Sequence, residues 1–210
     1  MKRRTLHDQY FRQAKRDGYL ARSAYKLLEI QEKKKLIRRG DRVLDLGCAP
    51  GSWLQVASDL VGPKGVVVGV DLTPVRTGIG ENVVTIEGDV FTLDPNDLPG
   101  GPEFAVLLSD MAPSTAGDAS DHYRSMDLCH RALDLAPGVL KPGGNLAMKA
   151  LEGETYPELL KRASVAFREC KGFRPKATRD VSVEIFVIGR GFRSRGAESS
   201  ASSAGTNIHG

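Results

Sequence analysis

Short apolar runs that end on a carboxylate or a glycine alternate along this chain with longer amphipathic stretches. Arg42 to Leu46 predicts a first buried strand, Val66 to Val70 a second, Val83 to Ile86 a third, Phe104 to Leu108 a fourth and Asn145 to Met148 a fifth. Between them the apolar spacing predicts helices from about Leu20 to Lys35, from Ser52 to Leu60, over 122 to 136 and over 156 to 170. Gly62-Pro63 stops the second of these helices and Pro137-Gly138 breaks the third. A late strand is expected within Lys176 to Gly189, where Val181, Val183, Ile185 and Val187 share one parity.

Three stretches lie outside this alternation. Residues 1–17 are polar and basic and read as a short helix or an arm. The Ser-, Thr-, Gly- and Asp-rich segment after Pro113, as far as about Ser120, reads as a loop suited to a mobile lid. Residues 194–210 are dominated by Gly, Ala and Ser, too few apolar groups to repay ordering, and are expected to be a disordered tail. The chain thus divides into a basic N-terminal helical segment, 1–40, a main domain, 41–193, and that tail.

Strands alternating with helices imply an α/β fold, Rossmann-like and doubly wound about a mostly parallel sheet. Ligands of such sheets sit beyond the carboxyl ends of the strands, where the strand order reverses. Gly47, Asp71, Asp89, Asp110 and Lys149 all fall at or just past a strand end and are expected to converge there. The turn after the first strand, Gly47-Cys48-Ala49-Pro50-Gly51-Ser52-Trp53, has two glycines that admit backbone geometry and close ligand approach forbidden to other residues. Its G-x-x-x-G spacing is not the G-x-G-x-x-G of dinucleotide folds, and no Lys-Ser/Thr pair of a phosphate loop follows it. Nicotinamide and nucleoside-triphosphate chemistry therefore lose ground. Asp71 lies about where a doubly wound fold sets an acid on a ribose.

Composition narrows the class further. Two hundred and ten residues, 40% of them apolar, can bury a core without disulfides or metal. Cys48, Cys129 and Cys170 lie far apart without C-x-x-C spacing and read as reduced thiols. His7, His122, His130 and His209 lack ligand spacing, so no metal site is assigned. No apolar run reaches membrane-spanning length and none follows Lys2-Arg3-Arg4 as in a signal peptide, which points to a soluble, cytoplasmic protein. Charge is unevenly placed: residues 1–42 carry 14 Lys and Arg against 5 Asp and Glu, the rest of the chain 16 against 21. A basic segment interleaved with Tyr10, Phe11, Tyr19 and Tyr25 is the footprint of a nucleic-acid partner.

Five stretches together carry a family likeness: Ala24-Tyr25-Lys26-Leu27, Asp45-Leu46-Gly47-Cys48-Ala49-Pro50-Gly51-Ser52-Trp53, Gly88-Asp89-Val90, Ser109-Asp110-Met111-Ala112-Pro113 and Asn145-Leu146-Ala147-Met148-Lys149. In this order they resemble the FtsJ/RrmJ-like ribosomal RNA 2′-O-methyltransferases, over roughly residues 7 to 192. The resemblance implies a seven-stranded sheet of the S-adenosylmethionine-dependent methyltransferase type and S-adenosyl-L-methionine as cofactor. It carries the family's catalytic Lys-Asp-Lys-Glu set onto Lys26, Asp110, Lys149 and Glu184. It places the cofactor against Gly47, Gly51, Trp53, Asp71, Asp89 and Asp110, with Asp71 at the ribose and Asp89 beside the adenine. Two departures stand out, Ser52 where the family often has glycine and Lys176-Ala177-Thr178-Arg179-Asp180 before the glutamate.

Methyl transfer to a ribose 2′-hydroxyl is an in-line displacement by a poor nucleophile, so the hydroxyl proton must be removed or the oxygen oriented. Lys149 can do the first as a neutral amine or the second as an ammonium, and both accounts stay open at this point. The implied substrate is RNA of the large ribosomal subunit, uridine being favoured, and the implied protein is a monomer supporting ribosome maturation. Transfer RNA methylation and a non-catalytic RNA-binding assembly factor are the alternatives.

Overall fold

A computed structural model of the chain describes residues 2–75, 79–113, 120–178 and 183–194. Residues 114–119 of the expected lid segment, residues 179–182 of the expected late strand and the tail from 195 lie outside the described residues. Helices α1 (Lys2–Arg16) and α2 (Ala24–Lys34) precede strand β1 (Arg42–Leu46), and α3 (Ser52–Val61), β2 (Val66–Asp71) and β3 (Val83–Glu87) follow. Then come β4 (Phe104–Ser109), α4 (Ser120–Val139), β5 (Leu140–Leu151), α5 (Tyr156–Ala166), β6 (Phe167–Phe173) and β7 (Glu184–Phe192).

The strands form one seven-stranded sheet in the order β3-β2-β1-β4-β5-β7-β6. β1 pairs in parallel with both β2 and β4, so the strand order reverses beside it and opens the expected crevice. β7 runs antiparallel between β5 and β6, which makes the sheet mostly parallel. Strand parity divides the core into two layers. Leu44, Leu46, Val68, Val70, Leu107, Leu146, Met148 and Val187 pack against α4 and α5. Val43, Val67, Val106, Leu108, Ala147 and Phe186 pack against α2 and α3. Each fully buried Leu or Phe in these layers contributes about 1.5–3 kcal/mol.

Several boundaries differ from expectation, each for a tertiary reason. The helix expected to reach residue 170 stops at Ala166, and Phe167 starts an edge strand that pairs with β7. The Phe167 ring, 1% exposed, packs over Gly189 of β7, where a Cβ would lie 2.7 Å from it. α4 continues through Pro137-Gly138 to Val139, since burial of Ala136 and Val139 outweighs the one helical hydrogen bond that proline removes. Residues Lys176 and Ala177 belong to a turn rather than a strand, their backbone N–H groups donating to Glu29 Oε2 at 2.7 and 3.4 Å. β5 is longer than expected and extends from Leu140 to Leu151, with a register shift against β4.

Candidate active site

The β1–α3 turn is held from below by backbone and from the side by a carboxylate. Gly47 N–H donates to Val70 O at 2.8 Å, and Asp71 Oδ2 accepts from Ala49 N–H at 2.9 Å while its Oδ1 accepts from Thr73 N–H at 2.8 Å. Gly47 adopts φ +74° and a Cβ there would lie 2.5 Å from Met111 Cγ. Only glycine combines that backbone with so close an approach of the Asp110-Met111 segment. Gly88 N–H donates to Asp71 O at 2.9 Å, and Asp89 Oδ1 accepts from Phe91 N–H at 2.9 Å. The ends of β1, β2, β3 and β4 are thereby drawn around one space.

That space is a cavity of about 400 Å³ lined by Gly47, Asp71, Asp89 and Asp110 among others. Its volume lies within the range of small-molecule sites. Leu72 and Phe91, which also line it, are 70% and 52% exposed, large apolar side chains left uncovered at the mouth. Sequence reasoning did not single them out; each directly follows or nearly follows a strand-end acid, the signal that could have found them. Gly51 and Trp53 do not line this cavity. Gly51, at φ +113°, is hemmed by Leu20, Val75 and Ile79, and the Trp53 ring is 2% exposed and stacked on Phe186 with centroids 5.7 Å apart.

Beside the cavity stand four charges of alternating sign. Asp110, Lys149 and Glu184 have the parity of Leu108, Ala147 and Phe186, so all three face the layer that contains α2, which supplies Lys26. Lys26 Nζ lies 2.7 Å from Glu184 Oε2, and Lys149 Nζ lies 3.0 Å from Asp110 Oδ1. Lys149 Nζ donates its hydrogen bond to the Asp110 carbonyl at 2.6 Å, so Asp110 Oδ1 has a charged neighbour but no aligned donor among the described residues. Both lysines are almost fully buried, at 5% and 7% exposure. Burial alone would raise the Glu184 pKa, but the Lys26 ammonium beside it, helped by Lys149 and Arg22, holds it below the usual carboxylate range. Phe186, between these groups, lies 5.8 Å from Lys26 Nζ.

One acid close to this cluster escaped the sequence reading. Asp45, in β1, is fully buried, and neither carboxyl oxygen has a hydrogen-bond partner among the described residues. Burial first, then the negative charges of Asp110 and Asp71, push its pKa well above the ordinary value, which favours the protonated carboxyl in the fold. An acid inside an otherwise apolar strand was the available signal. The folded state must retain a proton that the unfolded chain releases above pH ~4. Stability from this group is therefore complete below that pH and is lost as pH rises toward the folded pKa, by up to about 1.4 kcal/mol per pH unit. Asp45→Asn, a neutral isostere, is expected to gain melting temperature relative to wild type, by more at pH 7.5 than at pH 5. Equal differences in thermal melts at the two pH values would show that Asp45 ionises without cost.

Among the described residues no group of three or more His, Cys, Asp or Glu side chains is arranged to hold a metal ion, and no helix is long and apolar enough to cross a membrane.

With this geometry in place, residues 19–192 match the sequence family described as FtsJ-like methyltransferase. Ribosomal RNA large subunit methyltransferase E from Syntrophobacter fumaroxidans is 46% identical over 195 residues, covering 90% of this chain and 98% of that protein. Its namesake from Desulfatibacillum aliphaticivorans is 45% identical over 184 residues, covering 87% and 89%. Among solved structures, a ribosomal RNA methyltransferase from Plasmodium falciparum superposes with a TM-score of 0.74 at 24% identity, covering 84% of this chain and all of that one. Fibrillarin from Aeropyrum pernix, solved with natively bound S-adenosyl-L-methionine, superposes with a TM-score of 0.57 at 20% identity, covering 80% and 76%. At these identities the two structures bear on the fold alone.

Proposed function

We propose that this chain, which belongs to the FtsJ-like methyltransferase family, transfers a methyl group from S-adenosyl-L-methionine to a ribose 2′-hydroxyl, uridine being favoured, of large-subunit ribosomal RNA. It would do so in the cytoplasm, as a monomer, in support of ribosome maturation. The observation that carries this reading is the ion-paired set Lys26–Glu184 and Lys149–Asp110 at the rim of the strand-end cavity.

The residues present fit the cofactor. Gly47 lines the cavity with backbone alone, and Asp71, Asp89 and Asp110 offer acceptors to ribose hydroxyls and to exocyclic or ammonium N–H groups. Leu72 and Phe91 offer apolar surface to a flat ring. When bound there, the sulfonium supplies an electrophilic methyl group.

The chain's own residues prepare the nucleophile. Lys149 Nζ, 3.0 Å from Asp110 Oδ1 and 2.6 Å from the Asp110 carbonyl, is the group placed to act on the 2′-hydroxyl. It either takes the hydroxyl proton as a neutral amine or orients the oxygen toward the methyl group as an ammonium. Lys26, tied to Glu184, keeps a positive charge near the reacting oxygen, while burial of both lysines keeps water out. Alignment of the two substrates supplies much of the remaining rate.

Transfer of labelled methyl is the direct test, with undermodified large ribosomal subunits, protein-free ribosomal RNA and bulk transfer RNA as substrates. Label on a ribosomal 2′-oxygen is expected. Label on transfer RNA alone would retain the chemistry and replace the substrate, and absence of label from all three despite cofactor binding would favour a non-catalytic assembly factor.

A further inference from the structure

The turn that cradles the cavity is joined to the helix carrying Lys26 through two side chains outside the cavity. Ser23 precedes α2 as its N-cap but makes no side-chain cap hydrogen bond. Its hydroxyl instead lies 2.7 Å from the hydroxyl of Ser52, the first residue of α3, which is 2% exposed. Its carbonyl accepts two donors, the Lys26 backbone N–H at 3.0 Å and the Trp53 indole N–H at 2.9 Å. The same indole stacks on Phe186, whose ring in turn lies 5.8 Å from Lys26 Nζ. Trp53 therefore reaches Lys26 twice, at its backbone through Ser23 O and at its ammonium through Phe186.

We propose that Ser52 and Trp53 are positioning residues that act through Ser23 and Phe186 to hold Lys26 in register with Glu184 and Lys149, coupling the cofactor turn to the catalytic lysine without the Trp53 ring touching the cofactor. The catalytic role of Lys26 in this statement rests on the methyltransferase reading above. Two features support it. The Ser23 and Ser52 hydroxyls are a paired polar contact with the Ser52 side chain buried, a costly arrangement unless each satisfies the other. A carbonyl shared between a helix backbone donor and a side chain from another helix fixes both helices relative to one another.

The tie predicts what its removal does. Trp53→Phe keeps an aromatic ring, smaller than the indole, and loses the N–H, and Ser52→Ala keeps the helix and loses the hydroxyl. The Lys26 amine, 5% exposed and paired with Glu184, is expected to react slowly with an amine-acylating reagent in the wild type. Quantified by mass spectrometry against the exposed Lys64 as internal standard, its labelling rate is expected to rise about tenfold in Trp53→Phe and severalfold in Ser52→Ala. In the same variants kcat for methyl transfer is expected to fall roughly 10- to 100-fold, the range expected from a displacement near 1 Å. The cofactor Kd by calorimetry stays within about threefold of wild type.

Unchanged Lys26 labelling in both variants would overturn the inference, as would a cofactor Kd weakened by the same factor as the loss in kcat/KM, which would make Trp53 a cofactor contact. The labelling arm does not depend on activity. A wild type that methylates none of the RNAs but shows the predicted change in Lys26 reactivity would refute the functional reading and leave the mechanical tie intact. Ser52→Ala removes a single atom, so it serves if Trp53→Phe folds poorly.

Discussion

Lys149→Ala is expected to lower single-turnover methyl transfer by about 10²- to 10⁴-fold while leaving cofactor and RNA binding near wild type. The lysine contributes no surface to the strand-end turn that holds Gly47 and Asp71, and it is buried at the far side of Asp110. On the proposed reading, what its removal takes away is the amine that acts on the 2′-hydroxyl. The variant also leaves the Asp110 carboxylate, whose side chain is 17% exposed, without its counter-charge, and some loss of melting temperature accompanies the change. Assays run well below the melting temperature separate the two effects. Lys149→Arg then distinguishes the two accounts of the residue. A guanidinium stays protonated and cannot accept the hydroxyl proton, so the variant is expected to be as inactive as alanine. Substantial activity with arginine would instead make Lys149 a cation that orients the oxygen, and full activity with alanine would remove it from the chemistry.

RNA affinity should fall by about 50- to 900-fold between 50 and 200 mM monovalent salt. Not all of the 14 basic residues in the first 42 are available for this. Lys26 is buried against Glu184, and Arg42 is turned inward, its guanidinium donating to the carbonyls of Pro99, Gly100, Gly101 and Pro102 and stacking 4.6 Å from the Phe104 ring. Arg12, Lys15, Arg16, Lys33, Lys35, Arg38 and Arg39 are exposed. Engagement of four to all of these with single-stranded phosphates, at about −0.7 each, gives a log–log slope of about −3 to −5. Nitrocellulose or fluorescence titrations at four salt concentrations measure it directly. Lys15→Ala with Arg16→Ala should flatten the slope by about 1.4, and a salt-independent Kd in the parent would deny the N-terminal helices a role in RNA binding.

Much of the site could be read before any coordinates because its residues obey a local rule. Asp71, Asp110 and Lys149 each terminate a strand or follow one directly, and a doubly wound sheet brings strand ends together whatever the details of its helices. Glu184 and Lys26 were legible only through family likeness, since a glutamate opening a late strand and a lysine on a helix face are ordinary in isolation. The elements that were misjudged share a different cause. Phe167 and Cys170 have helical spacing, and only the vacant side-chain position at Gly189 across the sheet turns that stretch into a strand. Pro137 is a helix breaker by its own chemistry, and only the core around Ala136 and Val139 carries the helix past it.

The sequence by itself determined the alternation of strands and helices, the glycine turn after β1 and the acids at the strand ends, because these follow from periodicity, backbone freedom and chain order. Only the tertiary structure decided which charges meet. Lys26 finds Glu184 across 158 positions and Lys149 finds Asp110 across 39. It also turned the Trp53 ring away from the cavity toward Ser23 and Phe186, and sealed Asp45 in β1 without a hydrogen-bond partner among the described residues. Pairing, burial and the protonation state they impose depend on neighbours in space, and no local pattern in the chain specifies those.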